Sequence, residues 1–110
     1  MGADNLASRK CKPCEGGLRP MSAADSRAML ESIPGWELEG NTRIRRKFKF
    51  ADFRRAQSWL NSVADIAEGE GHHPDIQWNY NKVTIDLTTH AIGGLSENDF
   101  ILAAKINGLD

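Results

Sequence analysis

The chain has 110 residues, 40% of them hydrophobic, and a formal net charge of −1. This length and balance predict one globular domain with one core, and exclude a disordered chain. The charge argues against a protein that binds nucleic acid by neutralising phosphates. No apolar run approaches the roughly 20 residues that span a bilayer, and the N-terminus lacks the apolar middle of a secretory signal. We therefore expect a cytoplasmic protein with neither nucleic acid nor a membrane as partner.

Residues 1–20 are polar and are predicted to form a leader with little packing of its own, ahead of a domain over residues 21–110. Both cysteines of the chain, Cys11 and Cys14, stand in this leader as a CxxC motif. Two thiols at this spacing can bind zinc, form a redox disulfide or carry no essential chemistry. A closed zinc site needs four ligands, and the sequence holds no second CxxC, which argues against such a site. The sequence does not decide among the three interpretations.

The first half of the domain predicts a helix and a hairpin. A capping box at Ser22 to Asp25 begins the helix, and Pro34-Gly35 follows it. Alternating apolar and charged residues then predict two strands around Gly40-Asn41. If Leu38 and Ile44 share a face and lie opposite one another, the loop must be centred on Asn41 and have an odd length.

The second half of the domain predicts a helix, a second hairpin and a last helix. Asp52 is a candidate cap for a long amphipathic helix that Gly69 and Gly71 end. A strand follows in which Trp78 alternates with polar residues, and we expect its ring to pack in the core rather than stack on a ligand. A turn at Asn81-Lys82 leads to a strand over residues 83–91, and a capping box from Ser96 to Asp99 begins the last helix.

The predicted order is α-β-β-α-β-β-α. Strands joined as hairpins, with helices between the hairpins, favour an α+β fold. We predict a four-stranded antiparallel sheet with three helices packed on one face.

The three histidines of the chain are predicted to meet at one end of this sheet. His72 and His73 lie side by side before Pro74, which favours an extended conformation at His73. A hairpin turning at Asn81-Lys82 would place His90 opposite His73.

Three interpretations of this cluster compete. The histidines could be structural, bonded to backbone at the sheet end. They could bind a metal with Glu68 or Asp75, although adjacent residues of an extended segment point to opposite sides. They could act as acid and base, since an imidazole exchanges a proton near neutral pH.

The motifs here closely resemble the pterin-4a-carbinolamine dehydratases. The resemblance extends from about Trp36 to Ile106 and rests on Glu68 before HHP, then YNKV, TH and GLSxxD in this order and spacing. It implies a dehydratase that removes water from 4a-hydroxytetrahydropterin to give quinonoid dihydropterin in pterin recycling. It also implies an α+β fold, no metal or other cofactor, a pterin substrate, and a homodimer or homotetramer.

The resemblance also implies the site residues. Catalytic candidates carried over from the family motif are His72, His73, His90 and Asp99. Substrate-binding candidates are Glu68, His73, Pro74, Asp75, Thr88, Thr89, His90 and Ala91. We expect His72 and His90 to transfer protons and His73 to hold the ring, without assigning which is acid and which is base. Asp99 has a second reading as a helix-capping residue.

The main alternative is an interaction protein. Some relatives act as dimerisation cofactors for transcription factors or as assembly factors for enzymes. A small sheet protein with an edge strand rich in arginine and lysine could dock a protein partner in the same way.

Overall fold

The computed structural model describes residues 6–11 and 19–109. The fold is α+β, and the predicted order of helices and strands is confirmed. The elements are α1 (Ala23–Leu30), β1 (Glu37–Glu39), β2 (Arg43–Lys49), α2 (Phe53–Glu70), β3 (Asp75–Asn79), β4 (Lys82–Leu87), a 3-10 turn (His90–Ile92) and α3 (Glu97–Asn107). None of the described helices combines the length and the apolar character needed to cross a membrane.

The four strands form one antiparallel sheet in the order β1-β2-β4-β3. One face of the two central strands is apolar and packs against the helices. Its side chains share a core cluster with residues of α2 and α3: Ile44, Val83, Ile85, Leu87, Ala56, Val63, Phe100 and Ile106. The opposite face is charged, and there Asp86 accepts bonds from Arg45 at 2.6 and 3.0 Å. The sheet is therefore covered by helices on one face.

Local signals fix both ends of α2. The Asp52 side chain accepts a hydrogen bond of 2.8 Å from the Arg55 backbone N–H, as the capping prediction requires. The helix continues through Gly69 and ends at Gly71, which adopts the left-handed conformation with φ 67°. A residue without a Cβ takes this conformation at little cost, and the reversal directs the chain into His72 and His73.

The first hairpin has the predicted register. Leu38 pairs with Ile44 and Glu39 with Arg43, so three residues centred on Asn41 form the loop. Asn41 has a φ of 58°, a conformation that asparagine tolerates better than most residues.

The turn of the second hairpin lies one residue earlier in the chain than predicted. Asn79 pairs with Lys82, so the turn is Tyr80-Asn81 and not Asn81-Lys82. The cause is a long-range contact: the Asn81 carbonyl accepts from the Phe50 N–H, and the Asn81 amide donates to the Phe50 carbonyl, each at 2.8 Å. The predicted pairing of His90 with His73 is therefore wrong.

The last strand is also shorter than predicted. It ends at Leu87, and an isolated bridge between Thr89 and Gly94 closes a short loop. His90 lies in the 3-10 turn inside that loop rather than on a strand. Gly93, with φ 69°, makes the sharp return.

Trp78 is not in the core. All five residues of β3 are exposed, and the Trp78 ring stacks on Phe53 with centroids 4.5 Å apart. Its alternation with polar residues predicted burial, but β3 is an edge strand in the described sheet. The prediction of core packing is therefore wrong.

The expectation of little packing is also wrong for the described part of the leader. Leu6 is 1% exposed and belongs to the core cluster. The Ala7 carbonyl accepts from Lys105, and Arg9 pairs with Glu97 of α3. Cys14 lies outside the described residues, and the division of the chain at residue 20 stays a prediction.

Replacing Asp52 with alanine removes the cap of α2. We expect the Asp52→Ala variant to lose about 0.5–2 kcal/mol of unfolding free energy, measured by urea denaturation. Asp52→Asn keeps a side-chain acceptor and serves as the control. Equal losses in the two variants would show that the cap is not what stabilises the start of this helix.

Candidate functional site

A buried carboxylate holds one of the three histidines. His72 Nε2 lies 2.6 Å from Asp99 Oδ1, and the side chains of these residues are 12% and 0% exposed. A carboxylate has only acceptor oxygens, so the hydrogen of this bond lies on Nε2. A neutral His72 then carries its lone pair on Nδ1.

The other oxygen of Asp99 is held by the start of α3 and by Thr89. Oδ2 accepts from the Ser96 backbone N–H at 2.9 Å and from the Thr89 hydroxyl at 2.8 Å. Ser96 and Asp99 form the predicted capping box. One carboxylate thus caps the helix, as the sequence suggested for Asp99, and also binds His72.

The second histidine is bound more loosely. His73 Nε2 lies 2.8 Å from Glu68 Oε1, but both side chains are exposed to solvent. Exposed pairs of this kind contribute little to stability. The two adjacent histidines thus bind different carboxylates, Asp99 and Glu68.

The third histidine, His90, lies in the loop after β4, at the same end of the sheet as the first two. His90 begins the 3-10 turn, and its Nε2 lies 3.9 Å from Asp75 Oδ2. Its side chain is 77% exposed, so it can exchange protons with solvent.

All three histidines line one cavity of about 510 Å³. Its lining residues come from the leader, the end of α2, the loops beside β3 and β4, and the start of α3: Cys11, Glu70, Gly71, His72, His73, Thr88, Thr89, His90, Ala91 and Asn98. The predicted convergence of the histidines is therefore observed, although through a different hairpin register. A cavity of this size accommodates a small organic molecule.

Only some of the other residues predicted for the site line this cavity. Thr88, Thr89 and Ala91 are on its wall. Asp99 and Glu68 are not lining residues, but they contact two that are, His72 and His73 respectively. Two others, Pro74 and Asp75, are not lining residues, and Asp75 lies in a separate groove with Arg45.

Sequence reasoning missed four wall residues. Gly71 was predicted to end the helix, and Cys11 was considered only within the CxxC motif of the leader; neither was assigned to the site. Glu70 and Asn98 gave no signal beyond standing next to motif residues. Contacts across 59 and 87 positions bring Cys11 to Glu70 and to Asn98, and no local pattern reports such distances.

Among the described residues, no group of three or more histidine, cysteine, aspartate or glutamate side chains is arranged to hold a metal ion. The arrangement offers imidazoles that differ in burial and in partner. One is nearly buried against a carboxylate, and two are exposed. Such a set can take up a proton at one point of a bound molecule and release one at another.

An α+β domain with a histidine-lined cavity at the end of its sheet is the class that this fold and site define. Residues 19–109 match the family described as pterin 4 alpha carbinolamine dehydratase. The chain belongs to this family.

Individual relatives agree with the family match. The chain is 48% identical, over 96% of its length and 93% of the relative's, to a putative pterin-4-alpha-carbinolamine dehydratase of Nitrosospira multiformis. It is also similar to the crystal structure of a transcriptional coactivator/pterin dehydratase from Brucella melitensis, with a TM-score of 0.76 and 33% identity over 81% of this chain and 96% of that one. A pterin dehydratase-like RuBisCO assembly factor of the alpha-carboxysome, 21% identical over 69% of this chain and 93% of that one with a TM-score of 0.57, shares the fold.

The contrast between the two carboxylates can be measured as stability. Asp99→Ala leaves the Ser96 backbone N–H and the nearly buried His72 N–H without their acceptor and removes one partner of the Thr89 hydroxyl, so we expect a loss of about 2–5 kcal/mol in urea unfolding. Glu68→Ala, which breaks only the exposed pair with His73, should cost less than about 1 kcal/mol. Similar losses in both variants would show that the buried carboxylate of Asp99 stabilises the fold no more than the exposed carboxylate of Glu68 does.

Proposed function

We propose that the protein catalyses the dehydration of 4a-hydroxytetrahydropterin to quinonoid dihydropterin, a step of pterin recycling. The observation that carries the proposal is His72, backed by the buried Asp99, in one cavity with His73 and His90. Membership of the family supports the substrate class. The proposal includes no metal or other cofactor.

The reaction requires two proton movements. The C4a–O bond breaks with its electron pair on oxygen, and the oxygen leaves as water after it takes a proton. N5 loses a proton, and its electrons form the new double bond to C4a. A base near N5 and an acid near the 4a-hydroxyl therefore account for every atom and charge.

We assign the base to His72. Its Nε2–H is donated to Asp99, which leaves the Nδ1 lone pair to accept a proton. The negative charge of Asp99 then stabilises the imidazolium that forms, as a carboxylate does behind other catalytic histidines. Because His72 is nearly buried, this electrostatic support is weakly screened.

We assign the acid to His90 and ring binding to His73. His90 is open to solvent and can recover its proton after each turnover. His73, held loosely by Glu68, lines the same cavity as the other two histidines. Thr88, Thr89 and Ala91 complete this wall and would contact the ring alongside His90.

Removing either proton-transfer group should slow the reaction. We expect His72→Ala and His90→Ala to lower kcat by about 10²–10⁴-fold while both variants stay folded. The unfolding midpoint of His90→Ala should stay near that of the native protein, whereas His72→Ala, which removes one of the three donors to the buried Asp99, should unfold at a lower midpoint. His73→Ala should act mainly on KM. The test is a dehydration assay on purified protein with 4a-hydroxytetrahydropterin, repeated after treatment with a chelator.

Two results would contradict this proposal. Native turnover in both His72→Ala and His90→Ala would remove their proposed roles. Activity that disappears with chelator and returns with added metal would replace the acid–base mechanism by a metal-dependent one.

A protein contact is the second role that the structure favours, and we propose self-association through β3. This strand is at an edge of the described sheet, and an edge offers unpaired backbone groups to another strand. On this strand and next to it are four exposed large hydrophobic residues: Ile76 and Trp78 on the strand, Tyr80 in the turn after it, and Phe53, whose ring stacks on Trp78. An antiparallel pair of β3 strands related by a two-fold axis would cover both features.

A charge placed in this apolar strip should prevent the association. We expect Trp78→Glu to be monomeric in sedimentation velocity at concentrations where the native chain forms a dimer or tetramer. Gln77→Glu adds the same charge on the opposite face of the same strand and should still associate. A native chain that sediments as a monomer, or two variants with the same behaviour, would contradict the proposed interface.

A further inference from the structure

The leader forms part of the cavity wall. Cys11 lines the same cavity as the three histidines, although it precedes His72 by 61 positions. The family match begins only at residue 19, so this part of the wall comes from outside the matched region. The described leader segment, residues 6–11, is hereafter called the leader wall.

Four contacts fix the leader wall to the domain. Leu6 is buried in the core, the Ala7 carbonyl accepts from Lys105 at 2.6 Å, and Arg9 pairs with Glu97. The Cys11 backbone N–H donates to Glu70 Oε1 at 2.8 Å. A segment held at both of its ends and between them positions its last residue, Cys11, against the site.

Glu70 connects the leader wall to the histidines. It is the last residue of α2, two positions before His72, and it lines the cavity itself. Its other oxygen lies 3.7 Å from Lys105 Nζ. The Cys11 N–H, together with Lys105, holds the pKa of Glu70 below its usual range, so Glu70 is ionised and able to accept at neutral pH.

On the opposite side Cys11 faces the start of α3. Its Sγ lies 3.6 Å from the carbonyl oxygen of Asn98, a cavity residue that immediately precedes Asp99. The thiol thus lies between the end of α2, two residues before His72, and the first turn of α3, which carries Asp99.

We propose that Cys11 contacts the bound pterin as a specificity-determining residue, and that Glu70 is the positioning residue that holds it there. This inference rests on the proposed function for the identity of the ligand. The thiol adds a small, polarisable surface to a wall that otherwise consists of the three histidines and of small or polar residues. Alkylation of Cys11 would place extra atoms in the space that the ligand needs.

The test measures protection of the thiol. In a Cys14→Ser background Cys11 is the sole cysteine, and its reaction with iodoacetamide is followed by intact mass. At about ten times its dissociation constant, 7,8-dihydropterin leaves roughly one tenth of the sites empty, so we expect alkylation to slow about ten-fold. A rate that the ligand does not change would overturn the inference. So would a thiol that does not react in the ligand-free protein, because it would not face the cavity.

Dehydratase activity of the same samples separates this inference from the proposed function. Protection without turnover supports the contact and contradicts the function. Turnover without protection contradicts the contact and leaves the function standing. The absence of both contradicts both. Alkylated protein should lose kcat/KM by about ten-fold or more, whereas Cys11→Ser in the same background should be insensitive to the reagent.

The role of Glu70 is tested by a pair of variants. Glu70→Ala removes the acceptor of the Cys11 N–H, so we expect faster alkylation of Cys11 and a higher KM, with kcat within about two-fold. Glu70→Gln keeps an acceptor oxygen and should restore both values toward those of the native protein. Unchanged alkylation and KM in Glu70→Ala would overturn the positioning role, as would a glutamine variant that behaves like alanine.

Discussion

The bond between His72 and Asp99 is the interaction on which the rest of the site depends. It places a carboxylate with no solvent exposure behind an imidazole that is nearly buried. An uncompensated charge there would be costly, and three donors remove that cost: the imidazole, the Thr89 hydroxyl and the Ser96 N–H. The same carboxylate caps α3, so the stability of a helix and the orientation of His72 depend on one side chain.

The fold brings this pair together from distant parts of the chain. Gly71 ends α2 in a left-handed turn, and His72 follows it directly. Asp99 stands in the first turn of α3, after the loop that carries His90. The sheet holds these ends in place through β4, whose apolar side chains pack beneath both helices. The site is thus made of turns and helix ends, while the strands supply its rigid support.

Local rules predicted most of the architecture from the sequence. The caps at Asp52 and Ser96 and the three-residue loop around Asn41 depend on residues within a few positions of one another, and the structure has them all. The predictions that were wrong concern positions that are set by contacts between distant parts of the chain. The Phe50–Asn81 bonds moved the second turn, and the edge position of β3 left Trp78 exposed. Cys11 reached the cavity through contacts across the chain that no local pattern reports.

The position of the hydrogen on His72 Nε2, which the bond to Asp99 fixes, can be observed directly. Long-range ¹⁵N–¹H NMR of the imidazole nitrogens distinguishes the two neutral tautomers of each histidine. We expect neutral His72 to be the Nε2–H form with an unprotonated Nδ1, and we expect replacement of Asp99 with alanine to remove this preference. A native His72 that carries its hydrogen on Nδ1, or one that samples both tautomers freely, would contradict this expectation.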